Sequence, residues 1–294
     1  MMTNHPSTTI AITNQKGGTG KTTTAINLGA ALAERGRRVL VVDLDPQANA
    51  TLHAGLSPDR QERTIWTALK QVIEPPTANH PNETDLRALL DSMWEERSFD
   101  RQHVPIVHQP NGNPFDLIPS NLELSEADLI LVSTVSRERR LATILAAVEA
   151  EYDTILIDCP PHLGILTLNA LTAADAVLIP LESAFFASKG MNQLFRIVLQ
   201  VRQTLNHRLT ILGVLITRLD QRTVHSRQVA EEARRALDKR VRVFATEIPV
   251  NVDLADAAAA GRNVLSYAPQ SRGAQSYRQL AAEIEKVERE QETD

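Results

Sequence analysis

The residues with the most chemistry to offer lie in one short run, KGGTGKT at positions 16–22. Gly17, Gly18 and Gly20 leave the backbone free to bend until successive N–H groups point at one anion. Lys21 offers a cation that can reach β- and γ-phosphates, and Thr22 a hydroxyl that can join the coordination of Mg²⁺. Thr19 and Thr23 complete the loop. A second lysine, Lys16, stands ahead of the glycines, where a phosphate loop usually has none.

Two aspartates belong with this loop by their placing, and a third ends another strand. RVLVVDLD (38–45) closes an aliphatic run with Asp43 and Asp45, and ILIDCPPHLG (155–164) does the same with Asp158. In an open parallel sheet, ligands bind beyond the carboxyl ends of the strands, so such carboxylates converge on a loop that follows another strand. Any one of them could instead cap a helix. Cys159, the single cysteine, follows Asp158; it permits no disulfide within the chain and points to a reducing compartment.

The elements that must position these residues follow from pattern. TTIAIT (8–13) reads as a strand, and Ala25, Ile26, Leu28, Leu32 and Ala33 recur at helical spacing up to Gly36, so the loop sits between strand and helix. Further strands are expected at 38–45, 153–161, 175–182, 209–218 and 241–249. Helices are expected near 122–150, 188–206, 223–239 and 274–291. This alternation predicts an α/β fold: a mostly parallel twisted sheet with helices on both faces. Over 294 residues, 43% apolar content with only 4% aromatics suits helices packed on aliphatic strands. The chain reads as one domain over 1–294, with a proline-rich excursion at about 57–114 that holds helical patterns near 64–73 and 83–97. No signal peptide and no run approaching 18 apolar residues is visible, so neither export nor a membrane span is expected.

The loop lacks the first glycine of GxxxxGK[ST]; Gln15 stands there. It matches the deviant form KGGxGK[ST] in full. On this motif the chain resembles the ParA/MinD class of deviant-Walker P-loop NTPases. VVDLDPQANAT (41–51) is similar to the ParA switch I stretch, DxDPQxNAT, which favours the ParA/Soj branch over MinD. Segments 117–141, 166–194 and 263–284 also read like ParA/Soj proteins, in the short form without an N-terminal helix-turn-helix. The resemblance implies an Mg-dependent ATPase whose cofactors are ATP and Mg²⁺. Lys16 would reach the nucleotide of a second subunit in an ATP-bound homodimer, where an added cation lowers the repulsion between facing phosphates. Lys21 would act in cis. Asp45 would orient the attacking water, Asp43 would support Mg²⁺ and its water shell, and Asp158 would reach the ion through water. ITRLD (216–220) and EIPVNVDL (247–254) look like the adenine-flanking segments, which makes Thr217, Arg218, Pro249 and Val250 the base candidates.

The family binds double-stranded DNA without sequence preference and works with a ParB-like or other cargo adaptor that stimulates hydrolysis. Charge supports a DNA surface here. Residues 196–242 hold Arg196, Arg202, Arg208, Arg218, Arg222, Arg227, Arg234, Arg235, Lys239, Arg240 and Arg242 against four acids, or +7, in a chain of net charge −5. The expected location is the cytoplasm, on the nucleoid. Two alternatives stand beside this reading. A MinD-like ATPase on a membrane is opposed by the acidic tail EIEKVEREQETD (283–294). An iron–sulfur reductase or carrier is opposed by one cysteine per chain, which gives a dimer two ligands where a cluster takes four.

Overall fold

The computed structural model describes residues 7–73, 99–182, 189–220, 224–237 and 240–293. Seven strands form one sheet: β1 (Thr8–Ile12), β2 (Val39–Asp43), β3 (Asp116–Ile118), β4 (Thr154–Asp158), β5 (Ala176–Glu182), β6 (Thr210–Leu219) and β7 (Val243–Pro249). Their order is β3-β2-β4-β1-β5-β6-β7, and every pair is parallel. From β1 the chain crosses to β2 on one side and later to β5 on the other. The crevice at that reversal lies beyond the C-terminal end of β1, where the phosphate loop begins.

Alternate residues of each strand feed two apolar layers, which explains the unbroken aliphatic runs. Ile10, Ile12, Val39, Val41 and Leu156 pack with α1 (Lys21–Glu34) and the C-terminal helix Arg272–Thr293. Ala11, Leu40, Val42, Ile155 and Ile157 pack on the opposite side with Ile65, Trp66, Leu141, Leu166 and Leu194. Ile65, Trp66, Leu69 and Val104 bring the excursion into that layer. Asn113 ties its far end down: its side chain donates to the Ala54 and Pro110 carbonyls and accepts from the Asn263 backbone and side chain. The helical pattern near 83–97 lies outside the described residues.

Three elements differ from expectation. β3 went unread because it is three residues long, an edge strand beside β2. The helix expected at 122–150 breaks into 3₁₀ turns and two short helices, α4 (Ala127–Ile130) and α5 (Arg140–Ala146), which follow α2 (Asn49–His53) and α3 (Ile65–Ile73). Ser133 and Thr134 turn their hydroxyls onto the Ile130 carbonyl, Thr134 is extended, and Ser136 is left-handed at φ 51°, which ends the helical path. Helix α6 (Ile165–Ala173) escaped notice because ILTLNALTA is apolar on nearly every side and carries no amphipathic period. Helices α7 (Lys189–Thr204) and α8 (Val224–Leu237) stand where expected, followed by α9 (Val252–Ala259), α10 (Val264–Tyr267) and α11 (Arg272–Thr293).

The acidic tail is largely structural. On α11, Glu285 and Glu288 pair with Arg35 and Arg37, Glu290 pairs with Arg242, and Glu283 accepts the Ala245 and Thr246 N–H groups. No helix among the described residues is long and apolar enough to cross a membrane.

Candidate functional site

The phosphate loop leaves β1 and is anchored before it turns. Asn14 donates from Nδ2 to the Pro180 carbonyl at 2.7 Å and accepts the Lys16 N–H at 3.1 Å. Pro180 can sit inside β5 because its missing N–H falls beyond the last β1 pair, Ile12 with Leu178. Gly18 (φ 76°) and Gly20 (φ 85°) are left-handed; a Cβ on either would meet nothing closer than 3.9 Å, so handedness and not space requires glycine there. Gly20 directly precedes α1 and aims its first N–H groups into the loop. Thr217, at the end of β6, donates to the Thr19 carbonyl at 2.8 Å and fixes the loop from the far side.

Strand register supplies the carboxylates. Asp43 and Asp158 are paired positions at the ends of adjacent strands β2 and β4. Both are fully buried. Burial pushes the Asp43 carboxyl up to about 7, against hydrogen bonds from Thr51 that pull it down. Burial and then the Asp43 charge hold Asp158 well above the usual carboxylate range. Asp158 Oδ2 accepts from Thr22 Oγ1 at 2.7 Å, while its Oδ1 is buried with no hydrogen-bond partner. Asp43 is fully engaged: Oδ2 accepts the Thr51 N–H and hydroxyl, and Oδ1 accepts the Asp45 N–H at 3.2 Å. Asp45 accepts the Gln47 N–H at 2.9 Å. Lys21 is buried, which lowers its pKa against the pull of Asp158, Cys159 and Asp45, and its Nζ lies 3.3 Å from the Lys16 carbonyl.

An orphaned buried carboxylate oxygen beside a threonine hydroxyl fits a hard cation. Among the described residues no group of three or more His, Cys, Asp or Glu is placed to hold a metal ion by itself. Cys159 is buried and its thiol is pushed up by burial, the state of an inert core residue.

A cleft of about 790 Å³ joins these groups to the expected base residues. Gly17, Gly18, Gly20, Lys21, Thr22, Thr23 and Asp45 line one part; Thr217, Arg218, Pro249 and Val250 line another. Arg218 is left-handed at φ 51°, an uncommon backbone for a non-glycine residue beside a site. Lys16 is half-buried, and its Nζ contacts Glu182 Oε2 at 2.6 Å. Sequence reasoning missed Glu182, Asn14, Thr51, and His53 of α2. His53 lines the cleft, is 4% exposed, and has its pKa lowered to about 4 by burial. Thr51 falls inside the switch stretch and was within reach; His53 carries no pattern that marks it.

The arginine stretch is less uniform than its count. Arg234 pairs with Glu247 at 2.8 Å, Arg242 with Glu290 at 3.1 Å, Arg235 with Glu231 at 3.4 Å and Arg218 with Glu182 at 3.7 Å. Arg196, Arg202, Arg208 and Arg240 are exposed and have no carboxylate partner among the described residues. Arg222, Lys239 and the Arg227 side chain lie outside the described residues.

Comparison with known proteins agrees with this geometry. Residues 7–211 match the AAA domain family. Sporulation initiation inhibitor protein Soj of Bacillus subtilis (strain 168) is 42% identical over 275 residues, 94% of this chain and 97% of that protein. Chromosome partitioning protein ParA of Caulobacter vibrioides is 39% identical over 293 residues, 99% and 98% of the two chains. Among solved structures, cobyrinic acid a,c-diamide synthase from Mycobacterium smegmatis, with bound ADP and magnesium or with bound ATP analog and magnesium, superposes at TM-score 0.72, with 34% identity over 94% of this chain and 93% of that one. This chain belongs to the ParA/Soj family of partition ATPases, within the ParA/MinD class of P-loop NTPases.

Proposed function

We propose that the protein binds Mg·ATP in the cleft, closes into a sandwich homodimer, binds double-stranded DNA without sequence preference, and lets go after hydrolysis. A ParB-like or other adaptor stimulates that hydrolysis, and a chromosome, plasmid or protein complex is thereby placed or segregated on the nucleoid in the cytoplasm. The observation that carries the reading is the convergence of Lys21, Thr22, Asp45 and Asp158 at the start of α1, with one Asp158 oxygen unpartnered.

Thr22 and Asp158 would hold Mg²⁺, which when bound would supply positive charge to offset the negative charge developing on the phosphates during transfer. The loop N–H groups and Lys21 hold the β- and γ-phosphates. Asp45 orients the attacking water. Asp43, with both oxygens occupied, serves the ion indirectly by fixing the Asp45 segment. Thr217, Arg218, Pro249 and Val250 receive the base. Lys16 leaves its own subunit's surface for the partner's nucleotide. The paired acids of α11 give the tail a packing role, and no membrane partner is assigned.

Two variants test the division of labour by light scattering and phosphate release, with a slowly hydrolysed ATP analogue in the scattering arm. D45A is expected to dimerise while hydrolysis falls by about 10²- to 10⁴-fold, because only the handling of water is lost. K16A is expected to bind nucleotide as a monomer and fail to dimerise. A K16A protein that dimerises as the parent does reduces Lys16 to a loop charge.

A further inference from the structure

Glu182 is the last residue of β5, and it meets two cations, Lys16 ahead of the phosphate loop and Arg218 of the cleft. Its Oε2 contacts Lys16 Nζ at 2.6 Å and its Oε1 lies 3.7 Å from Arg218 Nε. The geometry around this contact is preset. Asn14 bonds both the Pro180 carbonyl, two residues before Glu182, and the Lys16 N–H, so one side chain fixes the loop's start relative to the strand that carries the carboxylate. The Lys16 ammonium is thus held within its own subunit.

We propose that Glu182 is a positioning residue that restrains Lys16 in cis, and that subunit closure on ATP must break this pair. The inference rests on the reading that Lys16 acts across the dimer. The pair is partly exposed, 35% and 23% for the two side chains, and such pairs shift an equilibrium by about 1.5- to 5-fold. A two-fold symmetric closure breaks two of them, so the factors multiply to about 2- to 25-fold in the dimerisation constant. The carboxylate thereby sets the protein concentration at which ATP drives assembly.

Glu182→Gln removes the charge and keeps the shape. With a slowly hydrolysed ATP analogue and Mg²⁺ at 50 mM KCl, E182Q is expected to dimerise at a 2- to 25-fold lower protein concentration than the parent, read by light scattering. The affinity of monomer for ADP should agree with the parent's within twofold. At 500 mM KCl the advantage should shrink toward one, because salt already screens the parent's pair. Glu182→Asp keeps the charge on a shorter arm and should fall between the two. Parent-like or weaker dimerisation by E182Q, an E182D value at or below the parent's, or an ADP affinity that moves as much as dimerisation does, each overturns the proposal. K16A separates the two layers: if K16A stays monomeric and E182Q matches the parent, this inference alone fails, whereas if K16A dimerises normally the reading beneath it fails.

Discussion

Charged residues at the phosphate loop and charged residues along 196–242 find their partners in opposite ways. At the loop, polar and ionisable groups meet others brought there by neighbouring strand ends: the Thr22 hydroxyl donates to Asp158, Asp43 sits beside Asp158, and Lys21 lies under the pull of Asp158 and Asp45. Burial makes those encounters strong. Along 196–242, side chains are mostly exposed, and several arginines are matched by carboxylates distant in the chain, Arg242 by Glu290 and Arg218 by Glu182. Charge counted along a chain is therefore a poor measure of charge on a surface, while a motif at a strand end keeps its meaning because the sheet supplies its surroundings.

The contrast would break most visibly at Lys21. Lys21→Ala removes a buried cation and leaves Asp45 and Asp158 facing the incoming phosphates. Charge-assisted hydrogen bonds contribute about 1.5–3 kcal/mol each, so nucleotide affinity should fall by about 100-fold or more. Equilibrium binding of a fluorescent ATP analogue measures it, and affinity within a few-fold of the parent's would mean that the loop does not hold phosphate.

His53 sharpens the same point through pH. Its ring stays neutral in the folded protein, with a pKa of about 4 against 6.5 when unfolded. Between those values the unfolded chain binds the extra proton, so this contribution to stability is complete above about pH 6.5 and is lost as pH falls toward 4. The loss from pH 7 to pH 5 is about 2 kcal/mol. Denaturant unfolding of the parent and of His53→Asn at both pH values isolates it: the parent should lose about that much more than the variant. Equal losses would show that the ring is hydrated and titrates normally.

These two residues also mark the limits of reading the chain unaided. Lys21, Thr22 and the three aspartates were legible because a phosphate loop and strand-terminal carboxylates are local patterns whose geometry the parallel sheet completes. The base candidates Thr217, Arg218, Pro249 and Val250 rest on resemblance, and what the structure adds is that they line one cleft with the loop. Glu182 and His53 were not legible. Each reaches its surroundings only once β5 lies beside β1, or α2 packs beside the cleft, and neither residue type is unusual in its own segment. The same limit misread 122–150, where hydroxyls competing for one carbonyl outweigh helical periodicity. α6 was lost for the reverse reason, since burial on all sides erases the period that marks a helix.

The smallest effects lie in the arginine stretch, where pairing itself becomes the variable. Arg196, Arg202 and Arg208 are exposed and lack carboxylate partners among the described residues. Each can give one phosphate contact, and each contact contributes about −0.9 to the slope of log affinity against log salt. Changing all three to Ala should weaken the ATP dimer's DNA affinity by about tenfold at moderate salt and flatten that slope by up to about 3, with no change in sequence preference. Arg234 and Arg242 already face Glu247 and Glu290. Removing them unmasks a carboxylate for each cation lost, yet those cations were committed elsewhere, so contact with phosphate changes little. The double variant should lose less than about threefold and keep the parent's slope, by anisotropy on unrelated duplexes over a KCl series. If the paired arginines cost as much as the unpaired ones, DNA competes the carboxylates away and the count along the chain was the better guide. If neither set matters, the proposal that this stretch binds DNA fails.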